Sequence, residues 1–234
     1  MVASEGTICP ISWVKETLFP YALKALPKVL ATKWDDEGFK GYRDKFPETA
    51  RSSRALFEAH VKDLTARDVK VAYLKDLQGY LWEEGYRSRA YSTPVYADVL
   101  AWMDGLASSP ATAIAIYSSG SIFAQKLLFQ HIKDPARPED LEAVVDRRDM
   151  VTAWFDTTNA GPKHESSSYA KIASELQREP EEILFLSDNV KEVRAARDAN
   201  FHAVVVDRPG NAPLSNADRE ELQVVESFGQ LELR

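Results

Sequence analysis

The sequence predicts an α/β fold: a parallel sheet covered by helices on both faces, with an all-helical insert. Three observations predict it. Short apolar runs alternate with amphipathic helical stretches from about residue 94 onward, the pattern of a parallel sheet. The stretch before them carries helical periodicity and few β-branched clusters. The chain has 234 residues, enough for one large domain or a core with one insert. The expected division is a core of residues 1–12 and 94–234 and a helical cap of residues 13–93.

Taken in order, residues 13–84 read as helices. Val14, Leu18, Tyr21, Ala22 and Leu26 recur at helical spacing, as do Leu74, Leu77 and Leu81. Pro20 and Pro27 predict kinks or ends, and residues 34–38 read as a connection. Residues 94–105 form a helix with Val95, Val99, Leu100 and Met103 on one side. Residues 113–117 are a buried strand that ends in Ser118-Ser119-Gly120-Ser121, followed by a helix through Phe129. The charged stretch 133–140 reads as a solvated loop. A weaker strand lies at Phe155-Asp156, then a helix at 166–176, a strand at 183–186, a helix at 191–199 and a strand at 203–206. In such sheets ligands sit beyond the carboxyl ends of the strands.

Composition narrows the function. Hydrophobic residues make up 44% and charged residues 28%, as in soluble globular proteins. The net charge of −7 argues against a broad nucleic-acid or anionic-membrane surface. No apolar run approaches the ~20 residues that span a bilayer, and no signal segment opens the chain. A cytoplasmic location is expected. The single cysteine, Cys9, cannot form an internal disulfide and reads as a packed apolar residue. The four histidines show no metal-ligand spacing.

The strand ends carry the chemistry. Ser118 and Ser119 offer hydroxyls where a helix begins, a place that suits phosphate or a simple N-cap. Asp188 stands at the tip of an apolar strand, fit either to hold a hard cation such as Mg²⁺ or to cap the next helix. Lys163 precedes a helix, where its charge opposes the macrodipole unless an anion is bound; a solvated lysine is the alternative. Hydroxyl, ammonium and carboxylate follow successive strands, and together they suit a phosphoryl group and its metal.

The chain resembles the enolase-phosphatases (acireductone synthases) of methionine salvage, in the haloacid dehalogenase superfamily. The likeness rests on Glu5-Gly6-Thr7 with Pro10-Ile11, Leu18-Phe19-Pro20-Tyr21, Leu77-Gln78-Gly79, Tyr117-Ser118-Ser119-Gly120-Ser121 and Gln125-Lys126-Leu127-Leu128-Phe129. Further on it rests on Phe155-Asp156-Thr157, Lys163, Phe185-Leu186-Ser187-Asp188 and Arg208-Pro209-Gly210-Asn211-Ala212. It implies a Rossmann-like core with a helical cap that closes over the substrate. It also implies Mg²⁺ and a monomer acting on a small phosphorylated substrate, in the cytoplasm with a nuclear pool. The implied reaction enolises 2,3-diketo-5-methylthiopentyl 1-phosphate and then hydrolyses the phosphate to give the acireductone. Carried over by residue, Ser118, Ser119 and Lys163 bind the phosphoryl group, Asp188 holds the metal, and Glu5 lies beside the metal as an acid/base.

One position departs from that pattern. The family's Asp-x-Glu-Gly-Thr stands here as Ala3-Ser4-Glu5-Gly6-Thr7, so a methyl group occupies the place of the nucleophilic carboxylate. Only Met1 and Val2 precede it, so the first core strand is expected to be missing and its neighbours left short of partners. Two readings follow: a truncated reading frame of an ordinary enzyme, inactive as written, or a non-catalytic relative that binds phosphate and Mg²⁺. Elsewhere the bland reading is taken. Lys191-Glu192 with Arg194 and Arg197 reads as a solvated helix face, and Trp82 and Tyr86 as packing or a pocket wall.

Overall fold

A computed structural model describes residues 1–106, 112–140 and 142–231. The chain divides into two compact units, Met1–Trp13 with Ser92–Arg234, and Val14–Tyr91. The first segment of the sheet unit ends in the short helix α1 (Ile11–Trp13).

The helical unit opens with a π-helical turn, Val14–Leu18, and continues as α2 (Phe19–Lys33). Pro20 sits in the first turn, where its missing N–H costs nothing. Pro27 lies inside α2 and does not end it, which leaves only the kink of the two expected effects. Buried Ala22, Leu26 and Leu30, spaced by four on one face, keep the helix running despite proline's poor interior propensity. The expected connection at 34–38 is also shorter. Asp36 caps α3 (Glu37–Arg43), its carboxylate accepting from the N–H groups of Gly38 and Phe39. The unit is completed by α4 (Glu48–Arg51), α5 (Arg54–Ala66) and α6 (Ala72–Arg87). Its interior is aromatic: Phe46 packs on Phe57 and on Tyr73 at 4.4 Å between centroids. Trp82 is buried and donates its indole N–H to the Leu18 carbonyl at 2.8 Å; Tyr86 is buried on the same helix.

The sheet unit continues with α7 (Ala97–Leu106), β1 (Ile114–Tyr117) and α8 (Ile122–Gln130). A small antiparallel ribbon, β2 (Ile132–Lys133) and β3 (Val144–Val145), follows. Lys133 therefore belongs to a strand, and the expected loop begins at Asp134. Then come β4 (Val151–Phe155), α9 (Ser166–Leu176), β5 (Leu184–Ser187), α10 (Val190–Asp198), β6 (His202–Val206), α11 (Asn216–Glu221) and β7 (Val224–Val225). β1 pairs with β4, and β5, β6 and β7 pair in that order, all parallel.

Met1–Ala3 joins these two sets. Val2 bridges Ile116 on one side and Leu186 on the other, both in parallel. Its N–H donates to Ala115 O and its carbonyl accepts from Tyr117 N–H, while Ala3 N–H donates to Leu186 O and Leu186 N–H to Met1 O. At their carboxyl ends, β1 and β5 thus have a partner between them, which the expectation of a missing strand did not provide for. The Met1 ammonium donates to Leu184 O at 2.6 Å, and burial pulls its pKa down to about 5.

Side chains alternate across this sheet. Val2, Ile114, Ile116, Leu186, Val204 and Val206 face one core with Leu100, Met103, Leu128 and Phe129 of α7 and α8. Met1, Ala3, Ala115, Tyr117 and Phe185 face another with Tyr169, Ile172, Ala195 and Ala196 of α9 and α10. Both faces are covered, so the polar strand ends are left at the carboxyl edge, where the candidate site lies.

Candidate active site

The turn after Ala3 is tight. The Ser4 carbonyl accepts from the N–H groups of Thr7, Ile8 and Cys9, and Gly6 N–H donates to Cys9 O at 2.9 Å. Gly6 has φ +75°, and a Cβ there would collide with the Asp188 carboxylate and stand 3.0 Å from Asn211 Oδ1. Only glycine lets this turn approach the tip of β5. Three bonds hold it in place: Asp188 N–H to Thr7 Oγ1 at 3.1 Å, Asn211 Nδ2 to Gly6 O at 2.8 Å, and Tyr96 N–H to Ile8 O at 3.0 Å.

After β1, Ser118 is buried and its Oγ accepts from Gly120 N–H at 3.3 Å; Ser119 is half-buried in the same bend. The N-cap of α8 is Ser121, whose Oγ accepts from Ala124 N–H, so neither Ser118 nor Ser119 caps that helix. Gln125 holds the bend from behind, donating to Gly120 O and Phe155 O, each at 2.9 Å. The site of an ideal Cβ on Gly120 is 3.8 Å from Ser118 Oγ and 3.9 Å from Glu5 Oε1. Ser118 and Glu5 therefore flank one glycine.

Lys163 is positioned by three hydroxyls. Tyr117 donates to Gly161 O at 2.7 Å, Ser168 to Pro162 O at 2.8 Å and Tyr169 to Lys163 O at 2.7 Å. This pins three successive carbonyls, and the lysine side chain runs buried to Glu192, with Nζ 2.5 Å from Oε2. Its ammonium lies 5.5 Å from the centroid of the Tyr117 ring and 5.8 Å from that of Phe185. Ser187 Oγ donates to the same Glu192 oxygen at 2.7 Å. Lys163 thus connects to Asp188 through Glu192 and Ser187.

Glu192 corrects the reading of its helix face as solvated. It is half-buried and paired with Lys163, while Arg194, bound to Asp218 and Glu221, and Arg197, donating to Glu221 O, serve the surface. The signal available was its place four residues after Asp188, in the first turn of α10, facing the same edge.

Negative charge is crowded here. Burial first, then Glu192 and Glu5, push the Asp188 carboxyl up to about 6 against the pull of Lys163. Cys9 lies within reach of the same charges; burial and then Glu5 and Asp188 raise its thiol pKa, so it is inert. Among the described residues no three His, Cys, Asp or Glu side chains form a metal-holding group. Mg²⁺ asks for less, since it takes one or two carboxylates and completes its shell with water and substrate phosphate. Asp188 with Glu5 meets that requirement, and a cation would relieve the crowding.

The serine, lysine and carboxylate positions read from the sequence thus share one rim. Ala3 follows the same strand segment, its methyl buried in the core that Tyr117 and Phe185 also share. Two groups at this rim were named from the sequence but given no role at the site, Glu192 and Asn211. Asn211 belongs to a loop anchored by Arg208, whose buried guanidinium lies 4.4 Å from the Tyr96 ring centroid and 2.7 Å from Asp98.

No family model matches the sequence. Individual proteins do. Enolase-phosphatase E1 of Verticillium alfalfae is 53% identical over 96% of this chain and 85% of its own length. Enolase-phosphatase E1 of Sordaria macrospora is 50% identical over 97% of this chain and 94% of its own. Among solved structures, the UTR4 protein of Saccharomyces cerevisiae superposes with a TM-score of 0.84 at 37% identity, covering 98% of this chain and 97% of that one. More distant likenesses show the fold alone. CbbY of Rhodobacter sphaeroides, in complex with xylulose-(1,5)bisphosphate, has a TM-score of 0.55 at 15% identity, covering 98% of this chain and 94% of that one. A 2-haloacid dehalogenase of Pseudomonas syringae has 0.53 at 14%, covering 98% and 94%. With half its residues shared along nearly its whole length, on a haloacid dehalogenase fold, the chain belongs to the enolase-phosphatase E1 family.

Proposed function

We propose that the chain binds 2,3-diketo-5-methylthiopentyl 1-phosphate, the methionine-salvage substrate of the enolase-phosphatase reaction, with Mg²⁺ held by Asp188 and Glu5. The observation that carries this reading is the gathering of Ser118, Glu5, Lys163 and Asp188 on one rim, in a chain half identical to proteins named enolase-phosphatase. We place the active form as a monomer in the cytoplasm with a nuclear pool, and sedimentation and fractionation test that placement. Among the described residues no helix is long and apolar enough to cross a membrane.

Each residue has a task in this reading. The hydroxyls of Ser118 and Ser119 donate to phosphoryl oxygens. Lys163, held in place by Glu192, neutralises the phosphoryl charge without reorganising. Glu5, across Gly120 from Ser118, exchanges a proton with the substrate, taking one from carbon during enolisation or giving one to the leaving oxygen. Bound at Asp188, Mg²⁺ would supply positive charge to the phosphoryl oxygens.

A second reading is favoured by Ala3. A methyl group has no lone pair to attack phosphorus, so the aspartyl-phosphate route implied by the family is closed at this position. The chain then binds phosphate and Mg²⁺ and hydrolyses little. Phosphate release with Mg²⁺ and the diketone phosphate, compared between the chain and Ala3→Asp, separates the two readings. Release by the Ala3→Asp variant alone supports the binding reading for this chain and the enzyme reading for its site. Equal release by both overturns the role given to position 3. No release by either, with no heat on titrating phosphate, overturns the site.

A further inference from the structure

Asn211 has an amide whose orientation the structure settles. Its Nδ2 donates twice, to Gly6 O at 2.8 Å and to Val206 O at 3.2 Å. A flipped amide would set Oδ1 against both carbonyls, so the assignment is fixed by its partners. The oxygen must therefore point the other way, where it is buried and has no hydrogen-bond partner. It points toward Gly6's open face, 3.0 Å from the ideal Cβ position that the Asp188 carboxylate also crowds.

Two acceptor oxygens, one of them on a carboxylate, thus converge on one small space. An ionised carboxylate and an amide oxygen cannot donate to each other, and a buried acceptor left unpaired is costly. A group bearing positive charge or protons satisfies both at once. A hydrated divalent cation does this: the metal faces Asp188 and one of its waters donates to the amide oxygen.

We propose that Asn211 is a positioning residue for the cation, its Oδ1 accepting from a cation-bound water while its Nδ2 braces the Gly6 turn. This rests on the reading of Asp188 as a cation ligand. Asn211 is supplied by the loop after β6 and touches neither the phosphoryl-binding serines nor Lys163 in any described contact. Its expected influence is therefore on cation affinity, separate from phosphate binding.

The experiment uses Mn²⁺ as the probe on the full chain, with free Mn²⁺ followed by electron paramagnetic resonance and stability by thermal melting. Asn211→Ala removes both the oxygen and the brace. Asn211→Asp keeps an acceptor oxygen and loses the donation to Gly6. The expected result is a Kd for Mn²⁺ raised about 10-fold or more in Asn211→Ala. Asn211→Asp should bind at least as tightly as the wild type, although both variants melt earlier. Wild-type affinity in Asn211→Ala, or equal losses in both variants, would overturn the role of the oxygen. A wild-type chain that takes up no Mn²⁺ overturns the cation site itself and this role with it. Should Asn211→Ala not fold, the wild type alone decides: its Asn211 side-chain amide resonances must shift on adding Mg²⁺, and resonances that stay put refute the proposal.

Discussion

The two sides of the site differ in how fully their polar groups are matched. On the Lys163 side, the ammonium, Glu192, Ser187 and the hydroxyls of Tyr117, Ser168 and Tyr169 all have named partners. On the Gly6 side, Ser4 Oγ and Asn211 Oδ1 are buried without partners, Ala3 offers only a methyl, and Asp188 holds its proton up to about pH 6. One side is organised in advance; the other carries polarity that its own residues do not balance. The difference teaches where the chemistry that must come from outside, or from a different residue at position 3, would enter.

Breaking the contrast at position 3 has the largest expected effect. Ala3→Asp puts a carboxylate on the unmatched side and should raise the rate of Mg²⁺-dependent phosphate release by roughly 10³-fold or more, in line with the cost of deleting a nucleophile elsewhere. A colorimetric phosphate assay reads it, and a rise of less than tenfold would separate Ala3 from the loss of chemistry.

The matched side is tested by unmatching it. Lys163→Met strands Glu192, half-buried beside Asp188, and should cost about 3–5 kcal/mol in urea unfolding. Adding Glu192→Leu should recover part of that loss. A double variant less stable than the single one would contradict the account of the pair.

Acidity offers a graded test of the other side. The folded-state pKa of Asp188 lies above its ordinary value of 3.8, so the folded chain binds more protons between pH 4 and 6. In the absence of metal, stability should therefore fall as pH rises through that window, by on the order of 3 kcal/mol for this group. Asp188→Asn should flatten that slope. Mn²⁺ affinity should move oppositely, weakening below pH 6 as the proton competes for the carboxylate. Affinity unchanged from pH 7 to pH 5 would dissociate Asp188 from the cation.

Gly6→Ala is the smallest of the four. Its Cβ meets the Asp188 carboxylate and its φ is +75°, so about 1–3 kcal/mol of thermal stability should go. Cation affinity should fall with it. An alanine tolerated without either change would mean that the turn yields.

Much of this was legible in the residues. Apolar runs such as 183–186 and 203–206 announce buried parallel strands, and polar residues at their ends announce an edge that binds something. Ser118, Lys163 and Asp188 follow from that logic. Glu192 was read as surface because helical position alone does not say which neighbour a carboxylate meets; the partner, Lys163, arrives from another loop. Asn211 stood in the Arg208–Ala212 motif without a role for a similar reason, since its bond to Gly6 spans 205 positions. Pro27 does not end α2 because propensity is local, while the buried stripe that overrides it is tertiary.

The placement of Met1–Ala3 between β1 and β5 has a consequence for how the molecule is made. Met1–Ala3 bonds with Ala115 on one side and with Leu186 on the other, both far away along the sequence. Such distant pairings raise contact order and slow folding, and the rims of β1 and β5 stay uncovered until those contacts form. The centre of the sheet is joined by some of its longest-range contacts.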